Sequence, residues 1–175
     1  KYCRYLYVIV AILVLATGVR AGDAGQESPF VIGAGARALG MGGGFASIAD
    51  DASAVFYNPA GLSLLEYQEF TAMHMSLFEG SMYNFASWVY PHPVFGGFGV
   101  AYMRLGTDDI IGRSGFSETG SFDYSYSQFL VSYGRELYRG WSVGASLKAV
   151  NQSLGEYSDY GVGMDLSLIH ISEPT

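Results

Sequence analysis

Charged residues and cysteine are both scarce in this sequence. Charged side chains make up 14% of its 175 residues, against about 25% in an ordinary soluble domain. The single cysteine is Cys3, so the sequence supplies neither a disulfide framework nor a cysteine-ligated metal site. Acidic residues outnumber basic ones by 16 to 9, which gives a net charge of −7. Nucleic acid requires a basic protein surface, and the charge balance therefore excludes it as a partner.

Long apolar runs are missing as well. Beyond residue 20, no stretch approaches the ~18 consecutive apolar residues that a membrane-spanning helix needs. The chain is nevertheless rich in small and aromatic residues, with 24 glycines, 14 tyrosines and 11 phenylalanines. This combination favours strands that carry one apolar face.

The first residues have the order of a secretory signal peptide. A basic stretch at residues 1–4 precedes an apolar run at residues 5–16, and Val19 and Ala21 suit the two key positions of a cleavage site. About 12 apolar residues are too few to cross a ~30 Å membrane core comfortably, which disfavours the alternative of an N-terminal anchor. Residues 1–21 are therefore predicted to be a cleaved signal.

A glycine-dense stretch follows at residues 33–63. It opens with the letters GAGARA, the spacing of a dinucleotide-binding loop. Residues 66–168, however, show no amphipathic helix of the kind that a Rossmann fold requires. We therefore interpret the glycines as positions of close backbone contact, and predict no cofactor.

The end of this stretch predicts a short helix. Asp50 or Asp51 suits the N-cap of a helix over residues 52–57, and Pro59 is expected to end it. A cation site or an acid pair at the two aspartates is the alternative, but capping is the commoner role of such residues.

The rest of the chain predicts an all-β fold. Six strand-like segments cover residues 70–78, 82–90, 97–105, 124–135, 141–152 and 160–168, with a polar loop at residues 106–123. Their lengths match the ~9–11 residues of a tilted transmembrane strand. Aromatic residues cluster at the segment ends, as in the girdles of a membrane barrel. A transmembrane antiparallel β-barrel is therefore favoured over the alternative, a soluble exported β-sandwich.

The last two segments alternate clearly between apolar and polar or small residues. A charge on the lipid face of a barrel costs about 2–4 kcal/mol, so Lys148 and Asp165 are predicted to face the lumen. A loop centred near residues 156–157 would place them directly opposite each other, which suggests a cross-strand ion pair. In the alternative, each side chain merely meets lumenal water. The facing of the second to fourth segments is not assigned by the sequence.

No catalytic constellation is present in the sequence. The three histidines, His74, His92 and His170, lack metal-ligand spacing, and no G-x-S-x-G nucleophile motif occurs. The protein is predicted to be non-enzymatic.

The two ends of the chain suggest a fragment. The first residue is Lys1 rather than Met, and residues 169–175 resemble a non-native read-through tail. About six strands are fewer than the ~8 of the smallest single-chain barrels. The sequence is therefore expected to be the N-terminal part of a longer barrel.

Three blocks within residues 36–63 resemble the N-terminal signature of the PorV/PorQ family, which is related to the FadL-type outer-membrane transporters. The blocks are ARALGMGG, ADDASAV and NPAGL. In FadL-type members this region is a hatch that plugs the barrel. The resemblance therefore implies hatch roles for Asp50, Asp51, Asn58, Pro59, Ala60 and Gly61.

The resemblance also sets the functional expectation. It implies an outer-membrane protein of a Gram-negative bacterium that transports or binds hydrophobic compounds, with outer-membrane lipid around it. The alternative is a component of type IX secretion that shuttles cargo and contacts secretion-system proteins. The expected organisation is a signal peptide at 1–21, a hatch at 22–66, barrel strands at 67–168 and a tail at 169–175.

Overall fold

The fold is all-β, as the alternation predicts. The computed structural model describes residues 29–42, 44–114, 117–138 and 140–171, so the predicted signal peptide lies outside the described residues. Six strands form one antiparallel sheet in sequential order. Nowhere in these ranges is a helix both long and apolar enough to cross a membrane.

The strands are longer than the sequence segments. Their bounds are β1 Glu69–Ser76, β2 Met82–His92, β3 Gly96–Ser114, β4 Ser117–Tyr138, β5 Trp141–Leu154 and β6 Tyr157–His170. Short turns join them, including a 3₁₀ turn, η4, at Phe78–Gly80.

The predicted loop at residues 106–123 is wrong. β3 and β4 continue through it as a long hairpin, in which Ile110 pairs with Phe122. Two register shifts absorb the polar residues. At the first shift, Asp109 takes a left-handed φ of 57°, and its N–H donates to Asp123 Oδ1 at 3.0 Å. The bulge lets apolar pairing resume beyond the acidic residues.

β6 continues to His170, two residues beyond the predicted end of the strands at residue 168. Ile169 pairs with Ser142, and His170 pairs with Trp141 at the end of β6. The rings of Trp141 and His170 stack with centroids 4.3 Å apart. Residues 172–175 lie outside the described part of the chain.

One face of the sheet is covered, and the other is open. Burial alternates along β2, where Tyr83, Phe85, Ser87 and Val89 are buried between neighbours that are exposed or half-buried. We call the covered side the inner face and the other side the outer face. The alternation continues through β3 and β4, so the structure assigns the facing that the sequence left open.

Residues 29–64, which we call the helical segment, cover the inner face. The segment contains η1 Pro29–Ile32, α1 Ala36–Gly40, η2 Gly44–Ser47, α2 Ala54–Tyr57 and η3 Pro59–Leu64, where η denotes a 3₁₀-helix. Its apolar side chains join those of the strands in one core. The largest are Phe30, Phe45, Val55 and Leu62 from the segment, and Tyr83, Phe85, Met103 and Leu130 from the sheet.

The predicted helix at residues 52–57 is shorter than expected. α2 begins at Ala54 with Ser53 as its N-cap. Asp51 lies in the turn before the helix, where its Oδ1 accepts the Ser53 N–H at 2.8 Å. Asn58 is extended, with φ −160° and ψ 93°. This confirms that the residue before Pro59 ends the helix.

Candidate functional site: the helical segment on the inner face

Asn58 joins three parts of the helical segment. It follows α2 directly, and its Oδ1 accepts the Ala60 N–H at 3.2 Å as the N-cap of η3. Its Nδ2 donates to the carbonyl of Ala46 in η2 at 2.8 Å. Pro59 occupies the first turn of η3, where its missing N–H costs nothing. One buried amide therefore ends one helix, begins the next and fixes a neighbouring turn.

The backbone of η3 lies on a row of residues without side chains. Gly97, Gly134 and Gly144 pair in register across β3, β4 and β5, and the row continues to Ser167 on β6. We call these four residues the glycine row. A Cβ at any of the three glycines would collide with backbone atoms of Pro59, Ala60 or Leu62. The close approach requires glycine at these positions.

Two serines tie the helical segment to the sheet. Ser167 Oγ accepts the Ala60 N–H at 2.8 Å. Ser132 Oγ donates to the carbonyl of Val55 at 3.2 Å and is also hydrogen-bonded to Ser146 Oγ at 2.6 Å. The first bond gives the Ala60 N–H a second acceptor beside Asn58 Oδ1, and the second bond gives the carbonyl of Val55 a donor from the sheet.

The GAGARA stretch makes backbone contacts instead of a nucleotide loop. Gly33 and Gly35 have φ angles of 92° and 83°, which favour glycine. The carbonyl of Gly33 accepts from Tyr83 Oη at 2.8 Å, and the Ala34 N–H donates to Tyr57 Oη at 3.0 Å. These polar groups are engaged within the protein.

Asp50 and Asp51 lie apart from the glycine row, beside Arg37. The guanidinium of Arg37 forms two hydrogen bonds to Asp50, at 2.6 and 3.1 Å, and approaches Asp51 Oδ2 at 3.5 Å. It also lies over the Phe45 ring, 5.5 Å from its centroid. The hydrogen bond from Arg37 holds the pKa of Asp50 below its ordinary value. Arg37 and Asp50 are about half exposed.

Lys148 and Asp165 form an ion pair, with Nζ 2.5 Å from Oδ2. They lie on the inner face, in alternation with Gly144, Ser146 and Ser167. The predicted register is wrong by two residues, because Lys148 pairs with Gly163 and Asp165 with Ser146. The ion pair is therefore diagonal.

A tighter turn explains this shift in register. Leu154 pairs with Tyr157, so only Gly155 and Glu156 make the turn, and Gly155 takes a left-handed φ of 57°. Such a two-residue hairpin turn needs positive φ.

The structure divides the predicted site residues into three groups. Asn58, Pro59, Ala60 and Gly61 lie on the sheet, where Gly61 contacts Ala49 closely. Asp50 and Asp51 are with Arg37, and Lys148 with Asp165 lies farther along the inner face. No cluster of three potential metal ligands occurs in the described ranges.

The sequence reasoning missed Arg37, Ser132, Ser167 and the glycine row. Two signals were available. An Asn-Pro pair is typical of a new helix start, and small residues alternate with larger ones along β5.

The fold and this site define an all-β protein in which one antiparallel sheet holds a short helical segment against its inner face. The sequence profile of the uncharacterised protein family UPF0164 matches residues 15–161. The chain therefore belongs to this family. No curated protein and no solved structure matches the chain.

Proposed function

We propose that this protein is an outer-membrane β-barrel of the PorV/PorQ and FadL-like type, which transports or binds hydrophobic compounds. In this proposal the helical segment is the hatch, and Lys148 and Asp165 face the lumen. The observation that carries the proposal is the apolar outer face of a sheet whose inner face is partly covered by the helical segment.

The outer face is an apolar band several strands wide. Many of its side chains are open to the surroundings, including Val162 at 92% and Leu147 at 63% exposure. A soluble monomer rarely exposes an apolar patch larger than a few hundred Å². Three consecutive rows across the sheet form the band: Tyr90, Phe98, Tyr133, Ala145 and Leu166; then Phe70, Trp88, Val100, Val131, Leu147 and Met164; then Ala72, Ala86, Tyr102, Phe129, Ala149 and Val162.

A polar row bounds the band on one side. It contains His74, Asn84, Arg104, Ser127 and Asn151. A Cβ at Gly106 would lie 3.8 Å from Arg104 Nε, so the arginine side chain runs along β3 away from the band. An arginine at a membrane boundary extends in this way to reach water.

Aromatic rings bound the band on the other side. Tyr90, His92 and Phe95 form a chain of ring contacts, with centroids 6.5 and 4.7 Å apart. The stacked pair of Trp141 and His170 lies at the same end of the sheet. Rings of this kind are typical of the interfacial girdle of a barrel.

The length of the apolar stretch on β5 suits an outer membrane. Along β5, the outward residues are apolar from Ala149 to Trp141, two positions beyond the three rows, and Asn151 begins the polar row, while on β4 the outward Arg135 lies opposite Val143. Ten residues of strand rise about 33 Å, and a tilt of ~40° reduces this to a height of about 25 Å. An outer-membrane barrel has an apolar band of about that height.

The helical segment supports the second half of the proposal. It carries an apolar groove of about 550 Å³ between η1, α1 and α2, with Phe30, Leu39 and Phe56 among its lining residues. Ligand sites for hydrophobic compounds are concave and mostly apolar.

Cell fractionation of the full-length protein tests its location. We expect it in the outer-membrane fraction, with slower migration on gels after heating than before, as for folded barrels. Recovery in the periplasmic extract would support a soluble exported protein. Recovery in the membrane together with secretion components in a pull-down would support the type IX role.

Uptake of a labelled long-chain fatty acid tests the transport half. We expect cells carrying the full-length gene to take up more label than cells without it. A variant with Asn58→Ala and Pro59→Ala should change this uptake at equal protein level, and Gly163→Ala is the matched control. Unchanged uptake in the double variant would remove a gating role for this motif.

A further inference from the structure

A six-residue helix contacts five neighbouring strands at once. η3 lies mainly against β3, β4, β5 and β6, with a smaller contact to β2, at the level of the glycine row. Backbone atoms of Pro59 and Ala60 lie closest to Gly134 and Gly144, and the Cβ of Leu62 also approaches Gly134. The packing of this short piece of main chain therefore depends on how four strands are aligned.

The glycine row exists in only one alignment of the strands. A slip of one residue turns every inner side chain outward. A slip of two residues keeps the facing, but on β5 it replaces Gly144 by Ser142 or Ser146. The Cβ of either serine would enter the space that the backbone of Ala60 fills. The close packing of η3 on the glycine row, which we call the seat of η3, is then lost.

On β6, a hydrogen bond to η3 depends on the register in the same way. In the observed register Ser167 accepts the Ala60 N–H. A two-residue slip would bring Asp165 or Ile169 to that position. Ile169 offers no acceptor, and Asp165 would have to leave Lys148.

The strands specify their register weakly without η3. Six inner residues of β5 and β6 are glycine or serine, namely Ser142, Gly144, Ser146, Gly161, Gly163 and Ser167. Strands rich in glycine are prone to slip, since few large side chains distinguish one register from the next. An additional determinant is needed on this face.

We propose that η3 is an internal template that selects the strand register of β3 to β6 while the sheet assembles. This role goes beyond the proposed transport function, because it concerns assembly and holds whatever compound the protein carries. It assigns the Asn58–Gly61 motif to folding of the sheet.

Cross-strand cysteine pairs on the outer face test the template. Val131 lies directly opposite Leu147 in the native register, whereas a two-residue slip brings it opposite Ala149. The pairs Val131→Cys with Leu147→Cys and Val131→Cys with Ala149→Cys are placed in full-length protein otherwise free of cysteine. Each pair is combined with Gly144→Ala, which blocks the seat, or with Gly163→Ala, whose Cβ meets no atom within 4 Å.

We expect Gly144→Ala to raise the ratio of slipped to native disulfide by about tenfold, the factor that corresponds to about 1.4 kcal/mol. Gly163→Ala should leave the ratio unchanged. A ratio and a refolding rate equal to those of the unaltered chain would overturn the proposal. If Gly144→Ala yields no folded protein, Asn58→Ala decides by the same two readouts, because it removes the side-chain N-cap of η3 without adding atoms at the glycine row.

Discussion

The side-chain amide of Asn58 connects several parts of the helical segment. Asn58 is buried and uses both ends of its side chain, Oδ1 toward Ala60 and Nδ2 toward Ala46. Loss of Oδ1 removes one of the two acceptors of the Ala60 N–H, the other being Ser167 Oγ, and loss of Nδ2 removes the bond that holds η2 to the end of α2. The residue is therefore a structural centre of the motif.

Asn58→Ala should lower the free energy of unfolding by about 1–2 kcal/mol, the usual cost of losing a helix cap. Asn58→Asp keeps the acceptor for Ala60 and loses only the donor to Ala46. Its free energy of unfolding should therefore lie between that of the unaltered protein and that of Asn58→Ala. Urea unfolding of the full-length protein, followed by tryptophan fluorescence, measures both. Equal stability of all three proteins would show that the amide is dispensable.

The pair of Arg37 and Asp50 gives a prediction about pH. A lowered pKa in the folded state means that the pair stabilises the fold above the ordinary pKa of an aspartate. This contribution is lost as the pH falls through the folded value. Arg37→Gln should raise the pKa of Asp50 toward its ordinary value, as measured by carboxyl-carbon NMR. Arg104→Gln on the outer face is the control and should leave that pKa unchanged.

At the scale of the element, the outer face of β4 distinguishes membrane from water. Val131 lies within the apolar band, whereas Ser125 lies beyond the polar row. In a membrane, Val131→Arg should cost about 2–4 kcal/mol of unfolding free energy and Ser125→Arg about 0–1 kcal/mol. Both sites face outward, so similar small costs for the two variants would contradict insertion in lipid.

The diagonal pair of Lys148 and Asp165 gives a second prediction for elements. Both side chains are partly exposed, so their coupling in a double-mutant cycle should be about 0.2–1 kcal/mol. Lys148→Met and Asp165→Asn, alone and combined, provide the cycle. A coupling of zero would mean that each charge acts alone on the inner face.

The elements also show what sequence can foresee. Alternation in β5 and β6 predicts their facing, because one side must meet the helical segment. It does not predict register, since that depends on the left-handed φ of Gly155. Nor does it predict the long hairpin, whose pairing across Asp108 and Asp109 requires a bulge that period-two counting cannot detect.

For the whole molecule, the six strands and the all-β class follow from the sequence, but the seat of the helical segment does not. Gly97, Gly134, Gly144 and Ser167 are far apart along the chain, and only strand pairing brings them into one row. Contacts of this kind are fixed by tertiary structure, and a single sequence gives no direct sign of them.

The proposed barrel would have a definite orientation in the membrane, which can be tested on the whole molecule. The turn at Gly155 lies at the polar end of the sheet, and the turn at Pro93 lies at the aromatic end. We expect an epitope inserted after Gly155 to be labelled on intact cells, and one inserted after Pro93 only after permeabilisation. The reverse labelling would invert the orientation.

The contact between η3 and the glycine row constrains the amino-acid sequence of its two sides differently. The seat meets main-chain atoms of Pro59 and Ala60, and main-chain atoms are common to nearly all amino acids. Residues of η3 whose side chains form no cap can therefore vary in evolution while its path is kept. The glycines beneath cannot, since every other amino acid adds a Cβ. Among relatives, the seat should outlast the sequence of the segment that it holds.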